Sequence, residues 1–246
     1  MDRKKPMVIG HRGAAGEAPE NTLASFELAL EQGVNAIELD VHLSRDGQIV
    51  VCHDPALDRT TNGSGRIYEL SSAEIKRFDA GSWFAAQFQG ETVPLLDEVF
   101  DLVPESIVIN VEIKYSYDGR MEKALLDFLC SKNRLENAVI SSFDHKCLKR
   151  AKQLEPKVNI GLLYAANLAD HSGYARSLGV EVYSLHPHHY LLDAKDVAAV
   201  QAEGLLIFPY TVNSLQDMTR MVQFGVSGII TDFPAHLIRL LGGEPE

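Results

Sequence analysis

Glu38 and Asp40 stand two residues apart in Ala36-Ile37-Glu38-Leu39-Asp40-Val41-His42-Leu43, a stretch that alternates polar and apolar side chains. In a β-strand this alternation sends Glu38, Asp40 and His42 to one face and Ile37, Leu39, Val41 and Leu43 to the other. Two carboxylates on one buried face repel each other and are costly to desolvate, so a positive charge is expected between them. A hard divalent cation, Mg²⁺ or Ca²⁺, suits that place because both prefer oxygen ligands. The same stretch also fits a strand whose acidic face is open to water.

Other polar residues fall where further chemistry could gather. His11-Arg12 follows a short apolar run, and His53-Asp54 follows another. In Asn110-Val111-Glu112-Ile113-Lys114, the residues Asn110, Glu112 and Lys114 share a strand face. Glu38, Asp40 and Glu112 together could ligate a hard cation, with water or substrate completing the shell. Two histidines beside a metal suit proton transfer near neutral pH. Arg12 and Lys114 add cations that suit a phosphate gaining charge in its transition state. Metal-assisted phosphodiester cleavage, with one histidine as acid and the other as base, is the chemistry these types allow. Each residue also has a plainer place: His11 hydrogen-bonded at a strand end, Arg12 and Lys114 in salt bridges, His42 peripheral to the carboxylates. His186, His188 and His189 could hold zinc but fit the substrate side or the surface better.

Those residues need a scaffold that delivers them to one end. Apolar runs and amphipathic segments alternate along the chain, with strands expected near residues 7, 36, 107, 138, 159, 181, 205 and 228. The short Ser44-Arg45-Asp46-Gly47 link to Gln48–His53 is too brief for a parallel crossover and reads as a hairpin that returns His53 toward the carboxylates. Helices are expected from about Asn21, from Pro94 to Val103, and over 121–132, 145–154, 170–178, 194–203 and 215–224, with Ser214 as a cap and a terminal helix to Leu241. Eight βα units imply a TIM (β/α)₈ barrel, whose chemistry sits at the C-terminal ends of its strands. No phosphate-binding glycine fingerprint follows the first strand, which argues against a doubly wound sheet. Between residues 54 and 90 the rhythm lapses into turn-rich sequence with an isolated Trp83, read as a small subdomain inserted after the second strand. The whole of 1–246 then reads as one domain.

The chain has 246 residues, 46% hydrophobic and 23% charged, with a formal net charge of −11. That acidic balance argues against a nucleic-acid partner. No apolar run approaches the ~20 residues that span a bilayer, and the basic start, Met1 to Pro6, lacks the features of a signal peptide. Three cysteines without metal-type spacing read as reduced thiols, so a cytoplasmic setting is expected.

The residues also match a known pattern over nearly the whole chain. His11-Arg12-Gly13, Pro19-Glu20-Asn21-Thr22, Glu38-Leu39-Asp40, Asp46-Gly47, His53-Asp54 and Arg59-Thr60-Thr61-Asn62-Gly63 resemble the signature of the glycerophosphodiester phosphodiesterases. So do Val93-Pro94-Leu95-Leu96, Asn110 to Lys114, Ser142-Phe143-Asp144, Thr211-Val212-Asn213 and Gly228 to Pro234. The resemblance implies a TIM barrel with an insertion after the second strand. It implies His11 and His53 as the acid/base pair, Glu38, Asp40 and Glu112 as ligands of Mg²⁺ or Ca²⁺, and Arg12 and Lys114 on the phosphate. It implies hydrolysis of a small glycerophosphodiester to an alcohol and sn-glycerol 3-phosphate, a step of glycerol and lipid metabolism. Many members carry tryptophan where this chain has Tyr210, so an altered aromatic contact to the substrate is expected there. A lysophospholipase D-type activity and a non-catalytic binding barrel are the alternatives.

Overall fold

The computed structural model describes residues 5–242; the basic lead-in up to Lys4 lies outside them. The chain opens with β1 (Met7–His11), α1 (Leu23–Glu31), β2 (Ala36–Leu43) and β3 (Ile49–Val51). After a long irregular passage containing α2 (Ser72–Ile75) come α3 (Leu96–Leu102), β4 (Val108–Ile113), α4 (Arg120–Ser131), β5 (Ala138–Ser142) and α5 (His145–Leu154). β6 (Asn159–Tyr164), α6 (His171–Ser177), β7 (Ser184–Pro187), α7 (Ala194–Ala202) and β8 (Leu206–Ile207) follow. α8 (Leu215–Phe224), β9 (Gly228–Thr231) and α9 (Pro234–Leu240) complete the described chain.

Eight strands run parallel in the order β8-β7-β6-β5-β4-β2-β1-β9. The two ends of that order meet: Ser227 N–H donates to the Ile207 carbonyl and Ile230 N–H to the Pro209 carbonyl, each at 3.1 Å. The sheet is therefore a TIM barrel. β3 stands outside it, antiparallel to β2, with Val51 opposite Val41 and Ile49 opposite Leu43. This is the expected hairpin.

Alternation sorts the side chains of each strand. Ile37, Leu39 and Val41 of β2 and Ile109, Val111 and Ile113 of β4 belong to the main core, together with Phe26 of α1 and Leu125 and Leu129 of α4. Each such side chain contributes roughly 1.5–3 kcal/mol on burial. A smaller apolar cluster, Ile9, Ala36, Phe208 and Ile230, fills part of the barrel interior. β2 is buried along its whole length, which decides between the two readings of its acidic face: it does not open to water.

Several boundaries differ from expectation. Asn21 has φ +58°, so it cannot start α1; Thr22 caps that helix by accepting from Ser25 N–H at 3.3 Å. Pro94 is not in the first turn of α3, because its carbonyl accepts from Val51 N–H at 2.9 Å and holds it against β3. The Glu98 carboxylate instead accepts from Leu95 N–H at 2.7 Å and caps the helix. β8 covers only two residues of the 205–211 run, because Pro209 has no N–H to give to a ladder. Phe208 and Tyr210 N–H still donate to Leu185 and Pro187 carbonyls at 2.8 and 3.2 Å, so the chain keeps its place beside β7. The passage between β3 and α3 has a small core of its own, including Leu57, Ile67 and Ile75.

Candidate active site

Register brings the carboxylates together. His11 lies opposite Glu38 across β1 and β2, Glu38 opposite Asn110 across β2 and β4, and Asp40 opposite Glu112 one step further. Oxygens of Glu38, Asp40 and Glu112 all lie within 4.8 Å of one another. Asp40 is fully buried, and Glu38 and Glu112 nearly so. Among the described residues this is the one group of three or more histidine, cysteine or acidic side chains that converges in this way.

Two cations partly balance the three acids. Lys114 Nζ donates to Glu112 Oε1 at 2.6 Å and lies 3.2 Å from Asp40 Oδ1. Arg12 Nε lies 3.2 Å from Asp40 Oδ2, and Arg12 backbone N–H donates to Glu38 Oε2 at 3.1 Å. Burial pushes Asp40 up, but Lys114 and Arg12 outweigh it and hold this carboxyl below its usual range. Burial, reinforced by Asp40, raises Glu38 well above the usual carboxylate range and Glu112 to about 7. Three carboxyls thus face one lysine and one arginine, and without a further cation Glu38 and Glu112 are pushed toward their neutral forms. Asp40 Oδ1 and the buried side-chain oxygen of Asn110 make no hydrogen bond. An all-oxygen set of three converging carboxyls set against only two cations, with the buried Asn110 oxygen left without a hydrogen bond, fits a hard divalent cation.

Each histidine is held by an acid through Nδ1. His11 Nδ1 donates to Asp232 Oδ1 at 2.5 Å, and His53 Nδ1 donates to Asp54 Oδ1 at 2.7 Å. The proton on Nδ1 leaves Nε2 of both rings free for other partners; that of His11 lies 3.8 Å from Glu38 Oε2. Asn213 Nδ2 donates to Asp232 Oδ2 at 2.6 Å, fixing this acid in turn. Arg59 donates from Nε to Asp54 Oδ2 at 2.7 Å and makes two 2.8 Å hydrogen bonds to Glu20, which also accepts from Arg12 Nη1 at 2.8 Å. Asn21 Nδ2 donates to Asp40 Oδ2 at 2.9 Å. His42 is not idle either. Its ring joins the Tyr117 hydroxyl to the His53 carbonyl, each at 3.1 Å, which ties the returning hairpin arm to β2.

His11, Arg12, Glu38, His53, Glu112, Lys114 and Tyr210 all line one cavity of about 220 Å³, and Asp40 lies beneath it on the same face of β2. The two histidines, three acids, two cations and the tyrosine singled out in the sequence for phosphodiester chemistry are therefore at this one end of the barrel, whereas the His186, His188 and His189 group does not line the cavity. Tyr210 packs edge-on to the half-exposed Phe143 at 5.9 Å between ring centres, and its hydroxyl donates to the Tyr164 carbonyl at 3.2 Å. Burial, with Glu112 nearby, pushes its phenol up to about 12. His186 lies elsewhere, deep in the barrel with its Nε2 at 2.8 Å from Ser184 Oγ, and burial pushes it down to about 3. His188 and His189 stack on each other, and His189 Nδ1 accepts from Arg220 at 3.2 Å. Reading by residue type passed over Asp232, Asn213, Glu20, Asn21 and Arg59, because each acts on another side chain. Their only trace in the sequence was membership of the motifs around them.

Comparison with known proteins adds to this geometry. Residues 11–236 match the Glycerophosphoryl diester phosphodiesterase family. The chain belongs to that family. A glycerophosphodiester phosphodiesterase of Caldanaerobacter subterraneus subsp. tengcongensis is 42% identical over 96% of this chain and 98% of its own. One from Bacillus subtilis is 34% identical over 93% of this chain and 84% of its own. Among solved structures, an Oleispira antarctica phosphodiesterase in complex with the product sn-glycerol-3-phosphate superposes with a TM-score of 0.89 at 33% identity, covering 97% of both chains. A Thermotoga maritima glycerophosphodiester phosphodiesterase gives 0.80 at 28% identity, covering 96% of this chain and 99% of that one. The barrel is thus that of a phosphodiesterase family.

Proposed function

We propose that this chain is a metal-dependent glycerophosphodiester phosphodiesterase that hydrolyses small glycerophosphodiesters to an alcohol and sn-glycerol 3-phosphate. The reading is carried by one observation: two histidines, each oriented by its own acid, share a 220 Å³ cavity with the carboxylates Glu38 and Glu112 and the cations Arg12 and Lys114. Glu38, Asp40 and Glu112 would hold the cation, Mg²⁺ or Ca²⁺. When bound, it polarises the phosphoryl oxygens and neutralises part of their charge. Arg12 and Lys114 bind the phosphate. His11 and His53 work through Nε2: one takes the proton of the attacking oxygen, the other protonates the alcohol oxygen as its bond to phosphorus breaks. Asp232 and Asp54 keep both rings in the tautomer this requires. Tyr210, a protonated phenol packed on Phe143, contacts the glycerol. The chain acts as a single domain, with residues 54–90 inserted, and its free thiols suit the cytoplasm. The substrate is a water-soluble small molecule; neither nucleic acid nor a membrane is a partner.

The deciding assay measures sn-glycerol 3-phosphate release from glycerophosphocholine and glycerophosphoethanolamine with Mg²⁺, with Ca²⁺ and with chelator. Metal-dependent release is expected, and His11→Ala or His53→Ala should lower it roughly 10²–10⁴-fold with an unchanged melting curve. Release only from lysophospholipids would move the activity to the lysophospholipase D class. Absence of turnover on every substrate would leave a binding barrel.

A further inference from the structure

Beside the catalytic cavity lies a second and larger one, about 660 Å³, and His53 and Lys114 line both. The smaller cavity surrounds the phosphate and glycerol of the proposed substrate, so the remaining substituent on phosphorus has this larger space before it. Its walls combine tyrosines with arginines from two separate segments. Arg66 belongs to the 54–90 passage, with its guanidinium carbon 6.0 Å from the centre of the Tyr68 ring. Arg120 opens α4, 6.0 Å from the centre of the Tyr117 ring. Both arginines are exposed, and neither pairs with a carboxylate among the described residues.

The charge balance of this cavity is uneven. Lys114 is held by Asp40 and Glu112, and Asp54 is held by Arg59 and His53. What remains, among the described residues, is two guanidinium groups without an acid partner, Arg120 donating from Nε to the Tyr117 carbonyl at 3.1 Å, against one acid without a cation partner, Asp118. This local excess of positive charge stands out in a chain whose formal net charge is −11. A set of tyrosines next to a phosphodiesterase centre could suggest a cage for a quaternary ammonium. Here the chain's own guanidinium groups lie over two of the rings, Tyr68 and Tyr117, and would repel a third cation.

We propose that this cavity is the head-group subsite, and that Arg66 and Arg120 make it select glycerophosphodiesters with a negatively charged alcohol, such as one bearing a second phosphate, over those with a quaternary ammonium. Planar guanidinium groups pair well with phosphate or carboxylate oxygens. The inference rests on the phosphodiesterase reading above.

The test compares kcat/KM for three substrates at fixed free metal and low salt: bis(glycerophospho)glycerol, whose head group is anionic; glycerophosphoglycerol, neutral; and glycerophosphocholine, cationic. The wild type should favour the anionic substrate. The Arg66→Ala/Arg120→Ala variant should lose about tenfold on it, mainly through KM, and much less on the other two, so the preference collapses. Raising ionic strength should shrink the wild-type preference in the same direction. Arg66→Gln alone, at an exposed position, gives a milder version that keeps the fold intact. Equal losses on all three substrates, or an unchanged order of preference, would overturn the head-group assignment and leave the activity standing. No turnover of any of the three by the wild type would overturn the activity, and the subsite with it.

Discussion

At the scale of single residues, the site works because charges that would be unaffordable alone are placed against one another. Glu112 illustrates this. Its ordinary value is 4.5, and burial with Asp40 beside it pushes it to about 7 in the folded protein. The folded state therefore binds a proton that the unfolded chain releases. Metal-free wild type should lose stability relative to Glu112→Gln as the pH rises from about 4.5 to about 7, and hold a constant deficit above that. Histidines pushed down by burial, His42, His53 and His186, act in the opposite direction but equally in both proteins. Melting curves at pH 5, 6, 7 and 8 in chelator check this; parallel curves for the two proteins would remove Glu112 from the account. Asp232 holds His11 by its Nδ1. Asp232→Asn should keep the fold and metal affinity but lower kcat by roughly tenfold or more, because the amide no longer specifies the Nδ1–H tautomer. A variant with wild-type kcat would reduce Asp232 to a structural contact.

At the scale of elements, the turn after β1 decides where Arg12 points. Arg12 and Gly13 both adopt positive φ, +51° and +89°, so the chain doubles back beneath the site. A Cβ on Gly13 would meet Ser25 atoms at 2.4–2.6 Å, including its backbone, where α1 packs on the turn. The Arg12 carbonyl accepts there from Ser25 Oγ at 2.9 Å and from Asn21 N–H at 3.1 Å. Gly13→Ala should therefore cost on the order of 1–3 kcal/mol or more in stability and displace Arg12 from Glu38 and Asp40. A lower melting temperature with a raised KM is expected, and an unaltered protein would show that the turn can relax. The hairpin of β2 and β3 plays the matching part on the other side. It was recognisable from the shortness of the Ser44–Gly47 link, since so few residues cannot make a parallel crossover.

Taken whole, the barrel gathers three buried acids onto one side of its mouth against one lysine and one arginine, an imbalance that a bound cation would offset. Loading the metal should stabilise the folded state, by about 2.7 kcal/mol at a hundredfold excess over Kd. In a chain of this size that is a rise of roughly 5–10 °C in melting temperature. Thermal melts with and without chelator measure it directly, and Glu38→Gln should abolish most of the shift. A shift that persists in that variant would place the ion elsewhere. No helix among the described residues is long and apolar enough to cross a membrane.

The sequence by itself determined the barrel, its hairpin and the end at which chemistry collects. Those follow from alternation, repeat and link length, which are local properties that neighbouring residues carry. It also named the acids, cations and histidines of the site, because their polarity conflicts with the apolar strands around them. Only the tertiary structure decided that the acidic face of β2 is buried, since register with β1 and β4, not composition, closes it off from water. Only the fold joined His11 to Asp232 from opposite ends of the chain, and His42 to the carbonyl of His53. It alone set Arg66 and Arg120 around one cavity. Contacts of that kind depend on which distant segments meet, and no spacing along the chain records them.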